Sequence, residues 1–296
     1  MRYLLAGASG FLGQAWARHL TGQGHEVVRL VRRTASGPGE AQWDPYAGTL
    51  DPALVESADV VGNLAGAPLA HWPWTEAYKK EFLDSRVVTT RLLAQTIAAT
   101  GGKAVYVAQN GIAGYGDGGD RVLTEDSPTN GDAFIADVTR QWEAATAPAA
   151  EAGARVLVLR TGVVLDGSGG ALKAMLPAFK LGVGGPIGSG EQYFATISLD
   201  DWLAAVDFLV DSPDARGAYN LTAPGAVTNK EYTKALGDLL HRPTVFKVPS
   251  LPLRKLGGVA GNELLSSARV EPTRLLEAGF TFRHPTITDQ LTAALA

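Results

Sequence analysis

Gly7-Ala8-Ser9-Gly10-Phe11-Leu12-Gly13 decides the fold. The stretch follows the apolar run Tyr3-Leu4-Leu5-Ala6 and precedes a segment, Gln14 to Gly22, with helical periodicity. Strand, glycine loop and helix in this order form the opening of a nucleotide-binding βαβ unit. The spacing G-x-x-G-x-x-G has a physical reading. The first glycine makes the tight turn, the second lets a pyrophosphate approach the backbone, and the third lets helix pack on strand. The helix start then offers unpaired N–H groups and the positive end of its dipole to the phosphates.

Working outward, Glu26 to Val31, Asp59 to Leu64, Ala104 to Ala108 and Arg155 to Leu159 read as strands. Trp74 to Thr100 and Ala133 to Ala152 read as helices between them. This alternation predicts an α/β fold: a Rossmann-type, doubly wound parallel sheet covered on both faces. From Thr161 onward glycine and proline crowd in, notably over residues 167–170 and 182–190. A helix over 200–210, a strand over 219–222 and a helix over 228–240 follow. We expect a Rossmann domain over residues 1–165, with 199–238 returning to it. A smaller C-terminal α+β substrate lobe is expected over 166–198 and 239–296.

The end of the second strand sets the cofactor. A site selective for NAD places Asp or Glu there to hold the ribose 2′-hydroxyl. This chain has Val31-Arg32-Arg33, and guanidinium forks suit a 2′-phosphate, so NADP(H) is the expected cofactor. Asn63-Leu64-Ala65-Gly66 closes another strand with small residues at the carboxyl edge of the sheet, where the cofactor would lie. The expected cofactor contacts from these motifs are Gly7, Ser9, Gly10, Phe11, Leu12, Gly13, Val31, Arg32, Arg33, Asn63, Leu64, Ala65 and Gly66.

These motifs, with Asp84-Ser85-Arg86-Val87, Arg160-Thr161-Gly162-Val163-Val164-Leu165, residues 181–190 and Leu275 to Phe282, narrow the match. Together they resemble the extended short-chain dehydrogenase/reductases. Within that superfamily they look like the atypical epimerase family, or NAD-dependent epimerase/dehydratase-like proteins, with a C-terminal domain of unknown function. The resemblance implies that Arg32, Leu64, Ala65, Glu81, Arg86 and Leu165 meet the cofactor. Read from the residues alone, Glu81 and Arg86 are equally an exposed helix face.

The superfamily's Tyr-x-x-x-Lys pair works as a proton shuttle, since i, i+4 spacing puts both groups on one helix face. None of the eight tyrosines has lysine four residues on. By alignment Phe134 holds the tyrosine position and Val138 the lysine position, and Asn110 replaces a serine. Asn110, Tyr115 and Asp137 remain as polar candidates for catalysis. The alternative readings are a loop aromatic for Tyr115 and a solvated helix residue for Asp137. Trp72, Pro73 and Trp74 either line a substrate mouth or anchor the long helix.

Composition bounds the rest. Hydrophobic residues at 46% and charged residues at 19% suit a packed globule. The net charge of −4 argues against a nucleic-acid partner. There is no cysteine, which removes disulfides, thiolate metal sites and cysteine nucleophiles and fits a cytoplasmic location. The five histidines lack metal-ligand spacing, no G-x-S-x-G elbow is present, and no apolar run is long enough for a membrane span. The first residues read as a strand, so no signal peptide is expected. The expected function is an NADP(H)-dependent oxidoreductase or nucleotide-sugar-epimerase-like enzyme acting on a small molecule. The alternative is a dinucleotide sensor without turnover.

Overall fold

The computed structural model describes residues 1–251, 253 and 258–296. The chain opens with β1 (Arg2–Ala6), α1 (Phe11–Gly22), β2 (Glu26–Val31) and β3 (Glu40–Gln42). It continues through α2 (Pro52–Glu56), β4 (Val60–Asn63), α3 (Glu76–Ala99) and β5 (Val105–Gly111). The short strand β6 (Val122–Leu123), then α4 (Phe134–Ala144), α5 (Ala147–Glu151) and β7 (Val156–Thr161) complete the first half. The second half holds β8 (Val163–Leu165), α6 (Gly170–Lys180), β9 (Tyr193–Phe194), β10 (Thr196–Ser198), α7 (Leu199–Asp211), β11 (Gly217–Leu221), β12 (Val227–Thr228) and α8 (Asn229–Leu240).

Seven strands form one parallel sheet in the order β11-β7-β5-β4-β1-β2-β3. The chain runs outward from β1 to β3, then returns to start again at β4. Strand order therefore reverses between β1 and β4, which makes a crevice at their carboxyl ends. The pleat explains the near-continuous apolar strands. Tyr3 and Leu5 join Trp16, Leu20, Trp202 and Val206 on one face. Leu4 and Ala6 join Leu93, Ile97 and Tyr106 on the other.

Three expectations need correction. The helix expected over 133–152 is two helices, because Pro148 near the start of α5 has no N–H to continue the ladder. Of the segment expected to return to the sheet, α7 and β11 do so, but α8 packs with α6, Leu165 and the helix Ile287–Leu295 around a separate core. Part of the expected small lobe goes the other way. Leu275, Phe280 and Phe282 are buried with α1 and α7, and the Phe280 ring lies 5.5 Å from that of Phe208. Strand β3 lay outside the sequence expectation. It is a three-residue edge strand with too few residues to show an alternating pattern.

Candidate functional site

The glycine loop sits in the crevice between β1 and β4, and its three glycines meet different demands. Gly7 has φ +76°, and a Cβ there would stand 2.5 Å from the Ala65 nitrogen. A Cβ at Gly13 would strike the Gly7 carbonyl and stand 2.7 Å from Ala8 Cα, so α1 can seat on the turn only with glycine there. Both are required by the protein's own packing. Gly10 is not: its φ is −76°, and an added Cβ would touch only the Gly7 oxygen, at 3.4 Å. Gly10 caps α1 without a side-chain acceptor, and no acidic residue occupies the first turn. The first turn's N–H groups, from Phe11 to Gly13, lie beyond the reach of the intrahelical ladder. An open backbone cradle at a twelve-residue helix start fits a diphosphate. The Phe11 ring packs on the second half of the chain, where a Cβ at Gly169 would stand 2.5 Å from its Cε2.

The wall opposite the loop is built by Asn63. It is fully buried, donates Nδ2 to Thr90 Oγ1 at 2.9 Å, and accepts the Ala65 N–H at 3.0 Å. Asn63 therefore shapes the turn, and the backbone of Leu64, Ala65 and Gly66 forms the surface. Gly62 was not singled out from sequence, yet a Cβ there would stand 2.7 Å from Leu5 Cδ2 and collide with the Trp16 ring. A lone glycine in an apolar strand was the available signal.

The two arginines after β2 are not equivalent. Arg33 donates to both oxygens of Glu40, at 2.7 and 2.6 Å, and Ser36 adds its hydroxyl and N–H. These bonds hold the Glu40 carboxyl down at about 2. Arg33 is thus neutralised within its own loop. Arg32 is exposed and makes no hydrogen bond or ion pair with another described residue.

Arg86 projects from α3 toward the same turn. Its guanidinium donates to the carbonyls of Phe82 and Ala67, both at 3.0 Å, and lies 3.5 Å from the Phe82 ring centroid. A Cβ at Gly66 would stand 3.1 Å from Arg86 Cζ, so glycine lets the cation sit directly under the turn. Burial lowers its pKa to about 10. Among the described residues no carboxylate pairs with it. Glu81, one turn earlier, is exposed. Leu165 is 1% exposed and belongs to the core with α6 and α8, so only its backbone reaches the strand end.

Of the polar candidates for catalysis, two are buried and one is exposed. Tyr115 is buried, donates to Asn220 Oδ1 at 2.8 Å and accepts from Arg160 Nη1 at 2.9 Å. Arg160 also holds the Glu143 carboxylate with two donors, at 3.0 and 2.9 Å. Burial pushes the Tyr115 hydroxyl upward in pKa. Asn110 is buried, donating to the Thr139 carbonyl and accepting the Gly111 N–H. Asp137 is exposed on α4 and bonds to Arg140 and Gln141. A cavity of about 430 Å³, lined by Asn110, Tyr115, Thr139, Arg140, Glu143 and Arg160 among others, lies beside this network. No residue of the glycine loop lines it, so it is not the crevice. Phe134 starts α4 with its ring 6.3 Å from that of Trp74, and Val138 is fully buried. Trp74 packs with Tyr78 and Phe82 and so anchors the long helix, while Trp72 is exposed. Among the described residues no cluster of potential metal ligands exists, and no helix is long and apolar enough to cross a membrane.

The model of the NAD dependent epimerase/dehydratase family matches residues 3–222, and that of a domain of unknown function, DUF1731, matches residues 248–294. The chain belongs to the NAD dependent epimerase/dehydratase family. Within it, the chain is 40% identical to the epimerase family protein Mb2239 of Mycobacterium bovis, over 97% of this chain and 95% of that one. It is 35% identical to the Homo sapiens epimerase family protein SDR39U1, with 96% of each covered. The crystal structure of human SDR39U1 (isoform 2) with NADPH superposes with a TM-score of 0.91, at 34% identity and 99% coverage of both chains. A Corynebacterium glutamicum nucleoside-diphosphate sugar epimerase superposes with a TM-score of 0.79 at 33% identity, over 98% of this chain and 58% of that one.

Proposed function

We propose that this member of the family binds NADP(H) in the crevice between β1 and β4. We further propose that it acts as an oxidoreductase or nucleotide-sugar-epimerase-like enzyme on a small molecule. The observation that carries the reading is the division of labour in the glycine loop. Gly7 and Gly13 are consumed by packing, while Gly10 leaves an uncapped helix start open to a diphosphate. Arg32 supports the 2′-phosphate form, because Arg33 is committed to Glu40 and Arg32 is not. The NADPH in the human SDR39U1 structure is consistent with this assignment.

In this reading the α1 N–H groups take the diphosphate and Arg32 takes the 2′-phosphate. The Leu64–Gly66 backbone flanks the ribose, and Arg86 adds a half-buried positive charge beneath that turn. The dinucleotide supplies hydride exchange when bound. Tyr115 and Asn110 act as structural ties, and Asp137 is a surface residue. Calorimetric titration with NADPH and with NADH tests the reading. Micromolar or tighter NADPH binding with weaker NADH binding is expected, and no binding of either would overturn it.

A second reading keeps the same site without turnover: a dinucleotide sensor. Phe134 and Val138 favour it, since neither side chain carries a proton. NADPH oxidation across a panel of carbonyl compounds separates the two. Stoichiometric binding with no oxidation on any compound favours the sensor.

A further inference from the structure

Ten large hydrophobic side chains are exposed among the described residues, and five of them lie in two short segments, 171–190 and 239–251. They are Leu181 at 78%, Val183 at 53%, Val245 at 77%, Phe246 at 56% and Leu251 at 63%. The fold sets the two segments side by side. Arg242 Nε donates to the Lys180 carbonyl at 2.8 Å, and a Cβ at Gly182 would stand 3.8 Å from Pro243 Cδ. The Val248 N–H donates to the Pro186 carbonyl and the Gly188 N–H to the Val248 carbonyl, both at 2.9 Å. The five side chains therefore project from one paired strip of chain. Helix α6 extends the strip. It buries Leu172, Leu176 and Phe179, and its outward residues between Lys173 and Lys180 include Ala174, Pro177 and Ala178. A helix on a water-facing surface ordinarily turns a polar face outward.

The charge of the strip has one sign. The whole chain carries −4, yet these two segments contain no aspartate or glutamate. Lys173, Lys180, Arg242 and Lys247 are exposed, and none forms an ion pair with a described residue. The next acids along the chain, Glu191 and Asp238, face Lys230 and Lys234 instead. More than half of each apolar side chain stands in water, so no groove wall covers it. A peptide or small ligand is held by such walls. A bilayer needs none, because it closes around what protrudes. Apolar tips beside lysine and arginine match an anionic bilayer surface, where acyl chains receive the tips and headgroup phosphates the cations.

We propose that this strip docks the protein on the surface of an anionic membrane, its five apolar tips entering the headgroup boundary and its four cations meeting lipid phosphates. The attachment is peripheral, requires no spanning helix and does not depend on the dinucleotide site. The test is co-sedimentation of the full chain with phosphatidylcholine vesicles, with and without about 30% phosphatidylglycerol, at about 0.1 M salt. The wild type should pellet with the anionic vesicles and stay in solution with pure phosphatidylcholine. Each cation near the surface contributes about fivefold, so Lys180→Gln with Lys247→Gln should lose about 25-fold in partitioning. Val245→Ser with Phe246→Ser should lose about tenfold or more at unchanged charge, which separates insertion from plain charge attraction. All four positions are exposed, so the melting temperatures should not change. A wild type that stays in solution with anionic vesicles overturns the proposal, as does either double variant pelleting as well as the wild type. A lipid-free dimer in sedimentation velocity that Val245→Ser with Phe246→Ser dissociates also overturns it, because a second copy would then cover the strip.

Discussion

Two regions of the molecule differ in what their side chains are free to do. At the glycine loop the protein's own packing is finished by Gly7 and Gly13, and Gly10, the α1 N–H groups, Arg32 and part of the Arg86 fork are left over. At α4, where the resemblance leads one to expect a tyrosine and a lysine, this chain has Phe134 and a fully buried Val138. The nearby polar groups are spent on one another: Tyr115 on Asn220 and Arg160, Asn110 on Thr139 and Gly111. We read the unspent donors as a binding surface for the dinucleotide and the spent ones of the Tyr115 network as scaffold.

The largest expected effect breaks this comparison most directly. Gly10→Val should fold normally, because its backbone is extended and its only near neighbour is the Gly7 oxygen at 3.4 Å. NADPH affinity should fall more than 100-fold, since the branched side chain fills the diphosphate cradle. Gly13→Ala should do the opposite kind of damage. Its Cβ meets backbone at Gly7 and Ala8, so stability should drop by roughly 2–4 kcal/mol, read as a lower urea midpoint. If Gly10→Val melts like Gly13→Ala, the division between packing and binding glycines is wrong.

Next in size is Arg32→Ala. A charge-assisted bond to phosphate contributes about 1.5–3 kcal/mol, so NADPH should lose roughly 10- to 150-fold in affinity and NADH almost none. Equal losses for both would remove Arg32 from the 2′-phosphate.

Much of this was legible without coordinates, and the reasons are local. The glycine loop reads as a loop because its residues are neighbours in sequence and their spacing encodes the turn. The absence of Tyr-x-x-x-Lys is equally local. The pairing of Arg33 with Glu40 was not visible, because it depends on β3 folding back beside β2, and three residues carry no period. The Tyr115 network joins residues 115, 143, 160 and 220 from four separate elements, so no window of sequence contains it. Phe280 and Phe282 packing onto the sheet domain's core is of the same kind: apolar residues announce burial, but not against which surface.

A smaller effect tests the scaffold end. Tyr115→Phe removes the donor to Asn220 Oδ1 and the acceptor for Arg160 inside a buried region. Stability should fall by about 1–3 kcal/mol, with NADPH affinity unchanged. A selective loss of turnover at unchanged stability would return Tyr115 to the catalytic candidates.

The smallest expected effect concerns the boundary between spent and unspent groups. Arg33 and Arg32 are adjacent, yet only Arg33 is held, by a carboxylate kept ionised down to a pH of about 2. Glu40→Gln removes that negative charge and leaves Arg33 able to turn toward the 2′-phosphate. The Arg33 guanidinium is well exposed, so the gain is screened by water and salt. NADPH should bind about two- to fivefold more tightly at low salt. The difference should vanish at about 0.5 M salt, where the screening length is shorter than the reach of the side chain. NADH, which lacks the phosphate, should show neither the gain nor the salt dependence. A Glu40→Gln protein with unchanged NADPH affinity at low salt would mean that Arg33 gains nothing by release. Arg32 would then account for the selectivity alone.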